Sequence, residues 1–495
     1  MKKNFSSNYR PEIEFLRSIS ILLVILFHFE FYGFDGGFIG VDIFFTISGY
    51  LITSIIVDDK NFQIIDFYLK RLKRLLPTIF FVTLITVLLG IFILSPVHFL
   101  RLTNSAITVI FGVSNFFFFN ESGYFDYEKL FKPLLHTWSL SVELQFYLIW
   151  PILILFLNKF FKRKEFLIIL LLLIISLSLS TLYSARTSSF FYFTGFRIYE
   201  FAIGSLIFFY KKKIPLRLNN IIFFLGLLLI ITSAFLFDYN FNFPSFYAFF
   251  PCVGAGLVIL VGANQNIFSK FIKNKFFKFI GSISFTIYMV HWPLLIFYRY
   301  EKMDSLILLE KIILILITIL FSVFIYKYVE KPFRNKKINN NYLNLKLFKY
   351  FAFSVILLIF FNYYNKQDNN YISQMFKKHP EIDKVFMGRL IQSKIENNIK
   401  NENYKYFVGS RDKKKILVVG DSYAFDFYLA LNTIKEYNDN FMFEYNHFDY
   451  LYCFKVKSNK DKIINFFNYK ILDRRNSCKI AFKSKNFDIL KNVDH

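Results

Sequence analysis

The chain has 495 residues, of which 55% are hydrophobic and 21% aromatic, and it carries a formal net charge of +25 at pH 7. A soluble domain is usually about 45–50% apolar even when glycine is counted, so this composition excludes an ordinary soluble protein. The charge does not indicate nucleic-acid binding, because the Lys and Arg residues lie in short segments between long apolar blocks, where membrane topology places them.

Eleven apolar blocks predict a mainly α-helical, polytopic transmembrane bundle, because about 20 residues of helix cross the ~30 Å hydrocarbon core of a bilayer. Eight blocks have or approach this length: 15–32, 38–57, 77–95, 138–157, 166–182, 219–237, 277–298 and 306–328. Three further blocks are shorter: 196–210, 247–263 and 347–362.

One more apolar block, 103–119, is interpreted as a re-entrant or peripheral segment. Counting it as a span would place the basic cluster Lys159–Lys164 on the opposite side of the membrane from the other basic clusters. Without it, all basic loops fall on one side, which the positive-inside rule assigns to the cytoplasm. The sequence therefore predicts a cytoplasmic N-terminus and an extracytoplasmic segment after the eleventh span.

The first block contains Arg17 and His28, and ionisable groups inside spans are costly enough to be functional candidates. Eleven residues of helix rise about 16.5 Å and return to nearly the same face, so both side chains should face the same way. An imidazole can take a proton from a hydroxyl near neutral pH. The alternative is that His28 only hydrogen-bonds within the bundle.

The second block begins Gly36-Gly37-Phe38-Ile39-Gly40-Val41-Asp42. An Asp at the start of a helix predicts an N-terminal cap, and glycines in a span predict close helix packing. We favour these structural roles over a catalytic one for this segment.

The basic segment 67–77 interleaves Arg71, Arg74 and two lysines with apolar residues. It has two interpretations. It is either an interfacial helix held by anionic lipid, or a clamp for a phosphate-bearing donor, because guanidinium groups pair with phosphate through two parallel hydrogen bonds.

His136, Ser139 and Glu143 lie at i, i+3 and i+7, so they share one helix face at the entrance of a span. A polar face at this depth should line a cavity rather than contact lipid. His291 forms another polar position, close to the helix-kinking Pro293.

After residue 363 the chain becomes polar and rich in Lys and Asn. The short β-branched run Lys415–Gly420 predicts a buried strand that opens a small α/β domain. Cys453 and Cys478 fall in this part, where an extracytoplasmic location would permit a disulfide; the sequence does not show that they meet.

Several motifs in order along the chain resemble those of the acyltransferase-3 family of integral membrane acyltransferases. They are Tyr9–Ile13 with Arg17 and His28, Gly36–Phe45 with Ser48-Gly49-Tyr50, Phe67-Tyr68 with Arg71 and Arg74, Pro133–Tyr147, Tyr288–Pro293, and Glu330–Arg334. The resemblance covers residues 9–335.

This resemblance implies an O-acyltransferase of the bacterial inner (plasma) membrane. It would transfer an acyl group, with acetyl expected, from cytoplasmic acyl-CoA to a hydroxyl of a cell-surface or exported glycan such as lipopolysaccharide or peptidoglycan, without a metal ion. Arg17 and His28 match the family's essential pair, and Arg71 and Arg74 match its donor motif. His136 and Glu143 are further catalytic candidates, although Leu144 replaces a second Glu that is usual in the family.

The C-terminal part resembles the SGNH hydrolase-like domain fused to many such enzymes. Gly420-Asp421-Ser422-Tyr423 matches its first block, with Ser422 at the nucleophile position and Tyr423 where His is common. The later blocks are not recognisable, and His379, His447 and His495 lack the family's spacing. We therefore expect a partial SGNH-like domain, with little or no activity of its own. The expected division is 9–335 for the acyltransferase domain, 336–412 for a further span (347–362) and linker, and 413–495 for the partial domain.

Two other functions remain open from the sequence: a transporter of acyl groups or lipid-linked sugars, and an inactive homologue. Intramembrane Arg and His fit a transporter as well as an enzyme. No inverted repeat of broken helices is evident, which favours the enzyme.

Overall fold

A computed structural model of the chain describes most of residues 10–334 and a few segments of residues 335–495. The described ranges are 10–94, 96–121, 132–184, 191–210, 215–238, 241, 243–262, 267–302, 306–334, isolated positions between 349 and 359, 414–420 and 441–447. The chain forms two compact units, Met1–Phe376 and Lys377–His495.

The described part of the first unit is helical. Its α-helices are α1 Pro11–His28, α2 Gly40–Asp58, α3 Ile64–Ile93, α4 Pro96–Ile110, α5 Ser114–Glu121, α6 Thr137–Phe160, α7 Glu165–Ser184, α8 Ile198–Phe209, α9 Leu216–Leu236, α10 Phe246–Val261, α11 Ser269–Ile272, α12 Lys275–Lys302, α13 Leu308–Ile325 and α14 Lys331–Arg334. Short 3₁₀ turns precede α2 and α8, and a single π-helical turn, Tyr326–Glu330, joins α13 to α14.

Seven helical segments in the described ranges are long and apolar enough to cross a membrane, which identifies a multi-pass membrane protein. They are Gly37–Asp58, Ile64–Ile93, Thr137–Phe160, Glu165–Tyr183, Leu218–Leu236, Lys275–Lys302 and Leu308–Arg334. All seven coincide with predicted blocks. The other four predicted blocks are not among these seven segments. α1 carries Glu12, Glu14 and Arg17, α8 and α10 are shorter, and 347–362 falls mostly outside the described residues. The count of eleven spans thus stays a prediction.

The block 103–119 does not form one continuous helix. α4 ends at Ile110 and α5 begins at Ser114, and between them Gly112 has a φ of +69°. A residue without a Cβ adopts this left-handed conformation readily, which ends α4 and lets the chain turn. Neither helix reaches the length of a span.

The basic segment 67–77 is not a separate interfacial helix but the beginning of α3. This helix runs without interruption for 30 residues, and Pro77 lies inside it in a buried position. Neighbouring helices can compensate the hydrogen bond that an internal Pro removes, so an apolar helix in a bundle tolerates it. Arg71 and Arg74 are consequently held on a long helix rather than on a loop.

Close backbone contacts set the relative positions of the helices that build the site. A Cβ added at Gly281 of α12 would lie 2.2 Å from the carbonyl oxygen of Glu14 in α1, and one added at Gly49 of α2 would lie 1.9 Å from that of Phe201 in α8. Small residues allow this approach, as in many membrane bundles. The glycines predicted to allow close packing do so: a Cβ at Gly37 or Gly40 would lie 2.3 Å from a carbonyl oxygen of α1. The α1–α12 contact brings His28 next to His291.

In the second unit, the predicted strand is confirmed as β1, Lys414–Gly420. It pairs in parallel with β2, Phe441–His447, in a register that places Gly420 opposite His447. β2 was not among the elements predicted from the sequence. Parallel strands require a crossover connection, which agrees with an α/β arrangement. Ser422, His379, His495, Cys453 and Cys478 lie outside the described residues, and the SGNH-like assignment stays a prediction.

Candidate active site

A pocket in the first unit is bounded by α1, α2, α3, α6 and α12. Its charged and polar lining consists of Arg17, Ser48, Arg71, Arg74, Ser139, Glu143, Tyr147, Ser284 and Tyr288. The remaining lining is apolar, with Phe44, Leu51 and Phe285 as examples. The pocket therefore combines several guanidinium groups with an apolar wall, a lining suited to a molecule that has both anionic and apolar parts.

The positive charge of the pocket comes from Arg17, Arg71 and Arg74, which we call the arginine cluster. The guanidinium carbon of Arg71 lies 5.4 Å from the ring centroids of both Phe67 and Tyr147. The buried Nε of Arg74 has no hydrogen-bond partner among the described residues. Three guanidinium groups that face one pocket are suited to bind phosphate, because each offers a planar fork of donors.

Arg334 adds a further positive charge near this cluster. Arg334 lies on α14 and interacts electrostatically with Arg17 and Arg71. Glu330 also interacts electrostatically with Arg17. Glu330 is buried, accepts a hydrogen bond from Thr286 (2.9 Å) and lies 3.6 Å from Arg334. The closing motif of the family resemblance therefore folds back towards the pocket.

Glu143 is the acidic residue of the described pocket lining and is held by two hydroxyl groups. Ser48 and Tyr147 both donate to its Oε1. The two hydroxyl oxygens are themselves 3.2 Å apart. Glu143 thereby fixes Tyr147 at the position where its ring contacts Arg71.

His28 is the last residue of α1, and its Nδ1 lies 2.9 Å from Nε2 of His291 on α12. The ring of Trp292 lies 4.6 Å from that of His28, centroid to centroid. His291 is fully buried, whereas His28 is only half-buried. His28 therefore keeps an accessible edge while a neighbouring helix holds its Nδ1 side.

His136 completes what we call the histidine cluster with His28 and His291. It directly precedes α6, and its ring centroid lies 5.6 Å from that of His291. Neither ring nitrogen has a hydrogen-bond partner in the described ranges, although the residue is only 3% exposed. Tyr288 donates to the carbonyl of His136 (2.8 Å) and lies 2.5 Å from the hydroxyl of Ser139. Tyr288 and Ser139 thus connect the pocket wall to the histidine cluster.

The structure places Arg17 and His28 in two different groups. Arg17 lies in the arginine cluster, His28 lies in the histidine cluster, and no hydrogen bond or ring contact joins them in the described part of the chain. Along α1 they are separated by about 16.5 Å. The shared helix face therefore does not bring the two side chains into contact, and Arg17 lines the pocket whereas His28 does not.

His291 stood out in the sequence beside Pro293, and Ser48, Tyr147 and Tyr288 lie in the motifs of the family resemblance, but none of the four was predicted as a site residue. Tyr147 lies four residues after Glu143, so helical spacing alone could have added it to the predicted polar face. His291 and Ser48 reach the site only through the packing of distant segments. Among the described residues, no group of His, Cys, Asp and Glu is arranged to hold a metal ion.

Asp42 does not cap α2, contrary to the sequence-based expectation. The residue before α2 is Ile39, which provides no side-chain cap, and Asp42 is instead buried in an ionic group that does not line the pocket. Nη1 of Arg197 lies 2.7 Å from Asp42 Oδ1 and 2.8 Å from Glu200 Oε1. Buried carboxylates need such a partner, and Arg197 provides it from the residue before α8.

Comparison with known proteins identifies the same segment. A family model described as an acyltransferase domain, of the acyltransferase-3 type, matches residues 10–327. The O-acetyltransferase OatA of Staphylococcus aureus (strain NCTC 8325) is 30% identical over 357 residues, which cover 68% of this chain and 59% of that protein. The peptidoglycan O-acetyltransferase OatA of Listeria monocytogenes is 28% identical over 369 residues, which cover 70% of this chain and 59% of that protein. The chain thus spans under two thirds of these relatives. No solved structure matches it significantly.

Proposed function

Because the chain belongs to the acyltransferase-3 family, we propose that it is a membrane O-acetyltransferase that moves an acetyl group from acetyl-CoA to a hydroxyl of peptidoglycan. The observation that carries the proposal is the placement of the arginine cluster and the histidine cluster about 16.5 Å apart along α1. The pocket lies at the arginine cluster, and Tyr288 and Ser139 of its wall bond to the backbone carbonyl of His136 in the histidine cluster. One cluster is suited to an anion and the other to proton transfer.

Acetyl-CoA fits this two-ended arrangement. Its phosphates and its thioester lie at opposite ends of a long pantetheine arm, and the two clusters are about 16.5 Å apart along α1. Arg17, Arg71 and Arg74 bind the phosphates, and the apolar wall accommodates the arm. With the N-terminus in the cytoplasm, as the basic loops predict, Arg17 lies nearer the cytoplasm and His28 nearer the outside.

His28 serves as the general base in the proposed transfer. Its Nε2 takes the proton of the acceptor hydroxyl, whose oxygen attacks the carbonyl carbon of the thioester. A C–O bond forms and the C–S bond breaks, and the proton then passes from Nε2 to the departing thiolate. The products are the acetyl ester and free CoA, and His28 returns to its starting state.

The choice of peptidoglycan as acceptor rests on the names of the relatives, and lipopolysaccharide is the other acceptor that the family resemblance implies. A glycan outside the membrane would meet the acetyl group at the His28 end. The residues after β1, including Ser422, are proposed to form part of an SGNH-like domain in the same compartment, with little activity alone.

The test compares cells that express the intact chain, the His28→Ala variant or no chain at all. We expect ester-linked acetyl groups on isolated peptidoglycan with the intact chain and background levels in the other two. His98→Gln is a matched control, because His98 is a buried histidine that bonds to Tyr300 (3.0 Å). Acetylation of lipopolysaccharide alone would redirect the acceptor, and unchanged acetylation of every envelope glycan with the chain present in the membrane would refute the proposal.

A further inference from the structure

Two successive hydrogen bonds connect His28 to the backbone of α12. Nδ1 of His28 lies 2.9 Å from Nε2 of His291, and Nδ1 of His291 lies 3.1 Å from the carbonyl oxygen of Ile287. The two ring planes differ by 14°, and their centroids are 5.2 Å apart. With the two nitrogens 2.9 Å apart, these values place the N···N bond close to both ring planes, where a ring nitrogen directs its proton or lone pair.

The carbonyl of Ile287 determines where the protons of this chain of hydrogen bonds lie. A carbonyl oxygen only accepts, so Nδ1 of His291 must carry hydrogen. In a neutral imidazole the other nitrogen is then an acceptor, so Nε2 of His291 accepts from His28. Nδ1 of His28 therefore carries hydrogen, and the lone pair of neutral His28 is on Nε2. This Nε2 has no partner among the described residues.

We propose that His291 is a positioning residue that fixes His28 as the tautomer with a basic Nε2. The inference rests on the proposed function, because it specifies how the general base of that reaction is prepared. His291 is fully buried, and its side-chain hydrogen bonds go to His28 and to the carbonyl of Ile287, so its influence on the reaction passes through His28. When Nε2 takes the hydroxyl proton, Nδ1–H of the resulting imidazolium still donates to the lone pair of His291.

The arrangement performs with a neutral side chain what a buried carboxylate does in a Ser-His-Asp triad, where the third residue orients the histidine and selects its tautomer. A carboxylate at the position of His291 would be a buried charge in the bundle interior, which is costly. A second imidazole accepts the same hydrogen bond without a charge. Its own orientation is fixed within one helix, because residues 287 and 291 are one turn apart.

Paired substitutions of His291 test this role in the full-length protein. His291→Gln retains an acceptor at the reach of Nε2, His291→Asn reaches only the position of Nδ1, and His291→Phe provides neither. We expect kcat to fall at least about 100-fold in His291→Phe and His291→Asn, the lower range for loss of a general base. His291→Gln should recover at least ten-fold over His291→Phe, and KM for acetyl-CoA should stay within about three-fold in all three, because the arginine cluster is intact. Equal rates for Gln and Phe variants of similar membrane abundance would overturn the proposal.

A spectroscopic measurement tests the tautomer whether or not the chain transfers acetyl groups. In the full-length protein labelled with nitrogen-15 histidine, the His28 signals are those missing from His28→Ala. We expect a protonated Nδ1 and an unprotonated Nε2, shifting towards the opposite tautomer or a mixture in His291→Phe. A wild-type His28 with its hydrogen on Nε2 would overturn the assignment. If this tautomer is seen but glycan acetylation is absent, the positioning role stands and the proposed reaction fails.

Discussion

The contacts of the single residue Arg71 show why the pocket is suited to an arginine rather than a lysine at this position. Its guanidinium carbon lies 5.4 Å from the rings of both Phe67 and Tyr147, and Glu143 holds Tyr147 in place. A planar cation contacts two rings and still presents donors in a fork, whereas an ammonium group is a compact point charge. The aromatic contacts therefore favour one orientation of the donors towards the pocket.

We expect Arg71→Lys to impair acetyl transfer nearly as much as Arg71→Ala. Charged hydrogen bonds contribute about 1.5–3 kcal/mol each, so loss of even one bond of a bidentate pair should raise KM for acetyl-CoA roughly 10- to 100-fold. Initial rates in membrane vesicles at varied donor concentration measure this effect. Arg163→Ala is the control, because Arg163 is exposed in the loop after α6. A donor dependence unchanged in both Arg71 variants would identify the segment as a lipid anchor only.

His28→Ala should reduce the turnover of acetyl groups about 10²- to 10⁴-fold, the usual contribution of a general base. Donor binding should persist, because His28 is not among the residues that line the pocket and lies about 16.5 Å along α1 from Arg17. Equilibrium binding of labelled acetyl-CoA to the purified protein, together with the transfer rate, separates the two effects. Loss of binding along with turnover would show that His28 supports the pocket rather than the chemistry.

Most ionisable residues of the site could be identified from the sequence, whereas the residues that contact them could not. Arg17, His28, Arg71 and Arg74 stand out because charges inside apolar blocks are costly. His291 contacts His28 across 263 residues of chain, and Arg197 contacts Asp42 across 155. No local pattern encodes such a pair, since it exists only once the helices have packed.

At the scale of the elements, α2 and α8 approach so closely that each needs a glycine. A Cβ added at Gly49 or at Gly204 would lie 1.9 Å from a carbonyl oxygen of the other helix. The obstacle is backbone, which cannot move away as a flexible side chain does. The helix pair is therefore specified by these two positions.

Gly49→Val should destabilise the protein by more than the roughly 1–3 kcal/mol usual for overpacking, because the two helix backbones must separate. We expect a strong loss of folded protein in the membrane and a lower Tm of the solubilised protein. Gly195→Val is the matched control, because a Cβ at Gly195 would have no neighbour within 4 Å. Similar melting of both variants would contradict the close approach of α2 and α8.

The buried ionic group of Asp42, Arg197 and Glu200 holds two carboxyl groups against one guanidinium. Arg197→Met leaves both carboxyls without a cation and should lower the free energy of unfolding by about 3–5 kcal/mol. Asp42→Asn leaves Arg197 paired with Glu200 and should cost clearly less. Thermal unfolding of the two solubilised variants gives the order, and an equal or reversed order would contradict a charge-based role for this group.

The positions of the helices could be predicted, because long apolar blocks must form helices in a bilayer. The breaks within the apolar blocks could not be predicted. Hydropathy placed all seven segments of span length in the described ranges. It did not show that α3 continues through Pro77, because tolerance of an internal Pro depends on the surrounding helices. It also treated 103–119 as one block, although the conformation of Gly112 divides it.

At the scale of the whole molecule, the function depends on which side of the membrane each cluster faces. α1 carries Arg17 of the arginine cluster in its first half and His28 of the histidine cluster at its C-terminal end, so its orientation decides where donor and acceptor enter. That orientation depends on whether the shorter helices cross. α8 has 12 residues, about 18 Å of rise, which is less than the ~30 Å core. Its residues 199–205 are buried by neighbouring helices, however, and protein surroundings permit a short helix within a bundle.

Reporter fusions after Lys60, Lys212 and Asn369 determine the topology, since each lies beyond a different number of helices. Between Lys60 and Lys212 lie the span-length helices α3, α6 and α7, and the shorter α4, α5 and α8. The predicted topology has α4 and α5 not crossing. If α8 crosses, the number of crossings is even and both reporters lie on one side. If α8 does not cross, the number is three and they lie on opposite sides. The one-sided distribution of Lys and Arg predicts that both are cytoplasmic and that Asn369 is extracytoplasmic, which places His28 towards the exported glycan. Reporters at Lys60 and Lys212 on opposite sides would overturn the eleven-span topology and, with it, the proposed direction of acetyl transfer.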